Sequence, residues 1–203
     1  VSFYSERILP HGIHWAMRQE TFTEYRRRIV PAAEGRVLEI GAGSGLNVPF
    51  YSQKARNVLA LDPSRALLSL ARNGPTGSQR VMYVEGSAES IPLADRSVDT
   101  VLTTWTLCSI ADVASALSEV RRVLKPSGKL LFVEHGRAPD SAVSVWQDRL
   151  TPLWRRVAGG CHLNREMDRL IERAGFLVDS LTTGYMQGPR MMTFIYEGCA
   201  RPK

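Results

Sequence analysis

The sequence predicts an α/β chain, a doubly wound and mostly parallel sheet of seven strands that closes on a C-terminal antiparallel hairpin. Three observations predict it. Short apolar runs of strand length, Val37-Leu38-Glu39-Ile40 and Val58-Leu59-Ala60-Leu61 among them, alternate with stretches whose apolar residues recur at helical spacing. The first run breaks into Gly41-Ala42-Gly43-Ser44-Gly45, a turn whose backbone must take positive φ or lie against a ligand. The second run ends on Asp62-Pro63, an N-cap residue followed by a residue suited to the first helical turn.

The 203 residues suffice for one domain with a substantial core. Four parts are expected within it: a helical cap over 1–35, a ligand-binding core over 36–137, a substrate-side insertion over 138–163, and a helix and hairpin over 164–203. Hydrophobic content of 44% and charged content of 23% are those of a soluble globular protein. No apolar stretch is long enough to span a membrane, and the N-terminus lacks a signal-peptide pattern, so a cytoplasmic location is expected. Cys108, Cys161 and Cys199 are odd in number and lack metal-type spacing, which excludes a zinc site and a disulfide framework as expectations. The net charge of +6 is spread thinly, and its local runs, Arg26-Arg27-Arg28 and Arg155-Arg156, read as solvated helix faces rather than a nucleic-acid groove.

Taken in order, Trp15, Phe22, Tyr25 and Ile29 share one face of a helix that Pro31 ends, and that face is expected to pack on the sheet. Tyr4, His11 and His14 lie upstream in a less regular piece. After the glycine turn a helix is expected from Asn47 to Ser52, with Pro49 in its first turn. The second strand, Val58 to Leu61, leads into a helix from Ser64 to Asn73 that Gly74-Pro75-Thr76-Gly77 stops. Val81 to Glu85 is the third strand and Thr100 to Thr104 the fourth. Val113, Ala116, Leu117, Val120, Val123 and Leu124 form a helical stripe before the fifth strand, Lys129 to Glu134. Next, Val143, Trp146, Leu150, Leu153, Trp154 and Val157 align on one face of a segment that Pro152 should kink or split. Met167, Leu170, Ile171 and Ala174 mark the last helix, and Phe176 to Thr182 and Met191 to Glu197 the hairpin strands.

The glycine turn is G-x-G-x-G, without the third glycine of the dinucleotide fingerprint and without the Lys-Ser/Thr pair of a P-loop, which argues against NAD and ATP. It suits a ligand such as S-adenosylmethionine, whose carboxylate meets free backbone N–H groups and whose ammonium meets an acid such as Glu39. Asp62, past the second strand, stands where ribose hydroxyls are held in doubly wound nucleotide folds. Together, Glu39-x-Gly41-x-Gly43-x-Gly45, Asp62-Pro63-Ser64 and Glu85-Gly86-Ser87-Ala88-Glu89-Ser90-Ile91-Pro92 resemble the class I S-adenosylmethionine-dependent methyltransferase superfamily. The resemblance implies a Rossmann-like fold, with S-adenosylhomocysteine as product. It implies cofactor contacts from Glu39, Gly41, Ala42, Gly43, Gly45, Asn47, Asp62, Pro63, Gly86, Ser87, Ala88, Thr104, Trp105 and Leu107. Most of the superfamily carries Asp where this chain has Ser87, which changes the adenine contact.

The substrate class is narrowed by Thr104-Trp105-Thr106-Leu107-Cys108-Ser109. Methyltransferases of base amino groups or of Gln place an Asn- or Asp-Pro-Pro-Tyr sequence here, so amino methylation of bases is disfavoured and a small lipophilic acceptor expected. By resemblance, the N-terminal piece with Tyr4 folds over the cofactor, and the 142–157 segment, with Trp146, builds the acceptor pocket and acts as a lid. Trp15 and Cys108 are further substrate-side candidates. A basic amphipathic segment such as 142–157 also suits peripheral contact with a membrane surface. His135 follows the fifth strand at the crevice where doubly wound folds bind ligands, and is a candidate general base or orienting group. Leu107-Cys108-Ser109, Val133-Glu134-His135 and Gly160-Cys161-His162-Leu163-x-Arg165-Glu166 resemble the methyltransferase-like 7 proteins, membrane-associated alkyl thiol S-methyltransferases. That resemblance favours a thiol acceptor, with His135 and His162 as candidate bases. The residues at hand show no match to their N-terminal hydrophobic anchor, so membrane residence is not among the expectations. Phospholipid N-methylation, quinone C-methylation and a non-catalytic S-adenosylmethionine-binding role are the alternatives, and the oligomeric state is open.

Overall fold

The computed structural model describes residues 9–74, 76–77 and 79–203. Tyr4 and Pro75 lie outside them. Seven strands form one sheet: β1 (Gly35–Ile40), β2 (Ala55–Asp62), β3 (Arg80–Glu85), β4 (Val98–Thr104), β5 (Leu124–His135), β6 (Phe176–Tyr185) and β7 (Phe194–Pro202). Their order is β3-β2-β1-β4-β5-β7-β6. The first five pair in parallel, and β7 is antiparallel to both β5 and β6. Among the described residues six α-helices accompany them: α1 (Leu9–Met17), α2 (Glu20–Ile29), α3 (Arg65–Arg72), α4 (Val113–Val123), α5 (Ser141–Val157) and α6 (Met167–Arg173).

The central strands are buried along most of their length because both faces of the sheet are covered. On one face, the α4 stripe and Met167 and Ile171 of α6 bury against Leu38, Ile40, Val101 and Leu130. The other face receives Ile29 and Val30 at the end of α2 against Val37, Val58, Leu131 and Val133. Strand order reverses at β1, between β2 and β4, so the connections leaving β1 and β4 diverge and open a crevice at their carboxyl ends.

Several local expectations are corrected. The N-terminal helix is two helices, broken near Gln19, so Trp15 does not share a face with Phe22, Tyr25 and Ile29 and stands 74% exposed. Only a short 3-10 turn, Val48–Phe50, follows the glycine loop, because Pro49 leaves too few residues before Tyr51 turns extended. Met191 belongs to a 3-10 turn before β7 rather than to a strand.

Helix α5 departs furthest from its pattern. It runs unbroken through Pro152, and its buried positions are Ser144, Gln147 and Thr151. Gln147 is fully buried, accepting from the Ala138 amide (2.9 Å) and donating to the carbonyls of Gly136 (3.0 Å) and Met191 (3.2 Å). The Thr151 hydroxyl donates to the Gln147 carbonyl one turn back. A polar clamp therefore docks this helix, and Trp146, Leu153 and Val157 of the apolar stripe face outward.

Candidate active site

A cavity of about 750 Å³ fills the crevice, within the roughly 300–1,000 Å³ range of small-molecule sites. Its floor is the loop after β1, its walls the loops after β2, β3 and β4, and its roof α1 with the end of α5. Leu9, Pro10, Ile13, Ala16 and Met17 of α1 line it, and His14 Nδ1 lies 2.6 Å from the Ser44 hydroxyl, pinning α1 onto the glycine loop.

The three glycines have different reasons. Gly41 takes φ +68°, and a Cβ there would lie 2.1 Å from Thr106 Oγ1, so the β1 and β4 loops touch only because it is glycine. Gly43, at φ +54°, faces open space and leaves its backbone bare in the cavity wall. Gly45 does not line the cavity; a Cβ there would meet Ala71 Cβ at 3.2 Å, so it admits α3. Asp62, 5% exposed, accepts from the Gly43 amide through one carboxylate oxygen and from the Ser64 amide through the other, each at 2.8 Å. Burial raises its carboxyl above the ordinary value against those two bonds.

Glu39 lies beneath the cavity, not in its wall. Its carboxylate accepts from Asn47 Nδ2 (2.8 Å) and Tyr51 Oη (2.7 Å), and burial raises it to about 7. Asn47 also donates to Thr104 Oγ1 (3.0 Å) and accepts from Arg26 Nε (3.1 Å). Arg26 is 4% exposed, lines the cavity, and stacks over Trp105 at 5.3 Å. Its neighbours Arg27 and Arg28 pair at the surface with Glu20 and Glu197, as a solvated basic run should. Reading the three arginines as one run misses Arg26. The signal is its place four after Phe22 and three before Ile29, on the apolar side of α2.

The β4 loop is held from behind. Glu134, fully buried, accepts from Thr103 Oγ1 (2.7 Å) and the Thr106 amide (3.0 Å) through one oxygen and from the Cys108 amide (3.3 Å) through the other. These bonds hold Trp105 in the left-handed region, φ +52°, where a bulky residue persists only when its surroundings enforce it. Trp105, Thr104, Thr106 and Cys108 face the cavity, whereas Leu107 points into the core.

Opposite the glycine loop, His135, Cys161, Trp154 and Leu163 form the inner wall. His135 Nδ1 lies 3.7 Å from Cys161 Sγ, and its Nε2 has no hydrogen-bond partner among the described residues. Of the substrate-side expectations, Cys108 lines the cavity, Tyr4 falls outside the described residues, and Trp15 and Trp146 stand outside the wall on the exposed sides of their helices. His162 is also outside it. Its ring sits 3.2 Å from the Cys108 carbonyl, and burial with nearby Arg165 lowers its pKa. Ala42, Pro63, Gly86, Ser87 and Ala88 line the cavity, and Ser87 Oγ accepts from the Glu89 amide at 3.1 Å. Among the described residues no cluster of His, Cys, Asp and Glu could hold a metal ion, and no helix is long and apolar enough to cross a membrane.

A bare glycine backbone at the strand ends, a buried carboxylate at the end of β2 and a β3 loop closing one side define a class I S-adenosylmethionine-dependent methyltransferase. The sequence matches the methyltransferase domain family over residues 38–132. It is 36% identical over 165 residues to the thiol S-methyltransferase TMT1B of Rattus norvegicus, covering 78% of this chain and 67% of that protein. To human TMT1A it is 34% identical over 179 residues, covering 85% and 71%. An S-adenosylmethionine-dependent methyltransferase of Thermotoga maritima superposes with a TM-score of 0.70 at 24% identity, covering 98% of both chains. The chain belongs to the family of TMT1A and TMT1B and is an S-adenosylmethionine-dependent methyltransferase.

The residues present fit that donor, with one correction to the expectation: the Gly41 and Ala42 amides already donate to the Leu61 carbonyl and the Gly43 amide to Asp62, so the loop does not offer free N–H groups to the carboxylate. Asp62 would hold the ribose hydroxyls, Gly86 to Ala88 would flank the adenine, and Arg26, the buried cation of the wall, would pair with the donor's carboxylate.

Proposed function

We propose that the enzyme methylates the sulfur of a small apolar thiol, with His135 as the group that accepts or orients the thiol proton. The observation that carries this reading is His135 itself, buried at the carboxyl end of β5 in a largely apolar wall, with no partner for Nε2 among the described residues. That TMT1A and TMT1B are thiol S-methyltransferases supports it. The bound donor supplies an electrophilic methyl group on a sulfonium. The protein's share is alignment, exclusion of water and removal of one proton. Trp105, Trp154 and Leu163 exclude water, Arg26 and Asp62 fix the donor, and His135 raises the thiolate fraction of an acceptor whose pKa is about 8.5 in water.

The test is turnover with S-adenosylmethionine against alkyl and aryl thiols, phenols, quinones and a phosphatidylethanolamine, followed by mass spectrometry of the product. Methylated thiol alone is expected, and His135→Asn should lower kcat by roughly 10²–10⁴-fold with donor affinity unchanged. A methylated lipid or quinone with no thioether would refute the thiol reading. The outward apolar residues Trp15, Trp146, Leu153 and Val157, with Arg149, Arg155 and Arg156 on α5, support contact of this edge with an anionic lipid surface, from which apolar thiols would be drawn. Co-sedimentation with anionic but not neutral vesicles is expected, and equal recovery with both would refute a charge-assisted contact.

A further inference from the structure

Methyl transfer needs no protein nucleophile, yet Cys108 and Cys161 both line the cavity, one from each side of its inner end. The segments carrying them are locked in register. The His162 amide donates to the Cys108 carbonyl at 2.8 Å, Arg165 donates to the Leu107 carbonyl, and a Cβ on Gly160 would lie 2.8 Å from the Ser109 carbonyl oxygen. Behind Cys108, Glu134 holds its amide. Cys108 Sγ lies 3.6 Å from the Ser109 hydroxyl, and Cys161 Sγ faces His135 Nδ1 at 3.7 Å. A disulfide needs Cα atoms roughly 4.4–6.8 Å apart, and the backbone bond ties Cys108 to the residue that follows Cys161.

We propose that Cys108 and Cys161 form a redox-active dithiol in the acceptor cavity, reacting with small organic disulfides and closing to an internal disulfide that blocks methyl transfer. Cys161 is the attacking sulfur. The nearby Cys108 thiol, and after it His135, draw its thiol below the ordinary value despite burial. Cys108 is raised, by the Cys161 thiol and by burial, and is the resolving thiol. In the first step the Cys161 thiolate attacks one sulfur of R–S–S–R, forming Cys161–S–S–R and expelling R–S⁻, which takes a proton from water. In the second, Cys108 attacks the Cys161 sulfur, and the second R–S⁻ leaves with the Cys108 proton as R–SH. The two cysteines are oxidised and one small disulfide is reduced to two thiols. An apolar cavity that admits thiols also admits their disulfides, so the oxidised form of the acceptor class would switch the enzyme off. Only that effect on turnover rests on the thiol reading.

The experiment treats the whole protein with bis(2-hydroxyethyl) disulfide, quenches with an alkylating agent and maps peptides by mass. In the wild type, loss of two hydrogens and a crosslinked Cys108–Cys161 peptide are expected, with methyl transfer lost and restored by dithiothreitol. Cys108→Ser should stop at one hydroxyethylthio group on Cys161, and Cys161→Ser should leave Cys108 alkylatable. Cys108 and Cys161 both alkylatable in the treated wild type, or a Cys161→Ser protein modified at Cys108, would overturn the proposal, with Cys199 as the internal control. The mass readout stands whichever acceptor the enzyme methylates, so its failure is separate from failure of the thiol reading.

Discussion

Substituting Glu39 by Gln isolates the electrostatic cost of the carboxylate beneath the active site. In the folded protein burial raises Glu39 from its ordinary 4.5 to about 7, while the unfolded chain restores the ordinary value. Below pH 4.5 the group is protonated in both states and favours neither. As pH rises toward 7 the unfolded chain releases this proton while the folded chain retains it, so stability falls. Above pH 7 holding this carboxylate ionised costs the folded state roughly 3 kcal/mol. Gln has nearly the same shape and can accept from Asn47 while donating to Tyr51, so it keeps the contacts and removes the titration. Burial lowers Arg26 while Glu39 holds it up, and their attraction is already contained in the raised value of Glu39. Urea unfolding of both proteins at pH 4, 5, 6, 7 and 8 measures the difference. The mutant should gain on the wild type by up to about 3 kcal/mol between pH 4 and 8, most of it between 4.5 and 7. A difference independent of pH, or one growing toward acid, would refute the assignment of a strained, buried Glu39.

Three further substitutions probe the site and its supports. Asp62→Asn keeps one of two buried N–H acceptors and removes the charge, so S-adenosylmethionine binding by calorimetry should weaken by about 1.5–3 kcal/mol, tenfold or more, with the circular dichroism spectrum unchanged. Unchanged affinity would remove Asp62 from the donor site. Gly41→Ala drives a Cβ into Thr106 and should abolish donor binding, whereas Gly43→Ala meets open space and should cost only the left-handed backbone penalty, about 1–2 kcal/mol in urea unfolding. Equal effects at the two positions would count against a shared β1–β4 loop contact. Gln147→Leu leaves the Ala138 amide and two carbonyls unpaired and should destabilise by about 3 kcal/mol or more; a loss under 1 kcal/mol would mean that the apolar contacts of α5, not its polar clamp, dock the helix.

What the sequence determined by itself was whatever depends on short chain segments. The strands and their polarity follow from runs of apolar residues, the glycine loop from residues that only glycine satisfies, and Asp62 from its place at the end of a strand. The same locality makes Asp62, Gly43, Gly86, Ser87, Trp105 and His135 legible as wall residues from the sequence alone. Tertiary structure decided which side of an amphipathic element faces in. The apolar stripe of α5 predicts a buried face, yet one fully buried Gln147 meets three backbone groups that would otherwise be orphaned, and that requirement turned Trp146 and Leu153 outward. Arg26 reads as one of three solvated arginines, but α2 brings it to Asn47 and Trp105, partners distant in sequence. Glu39 reads as a ligand for a cation, but Asn47 and Tyr51 occupy its carboxylate first. The pairing of Cys108 with Cys161 had no sequence signature, because the backbone bond that joins their segments forms only when the end of α5 returns to the β4 loop.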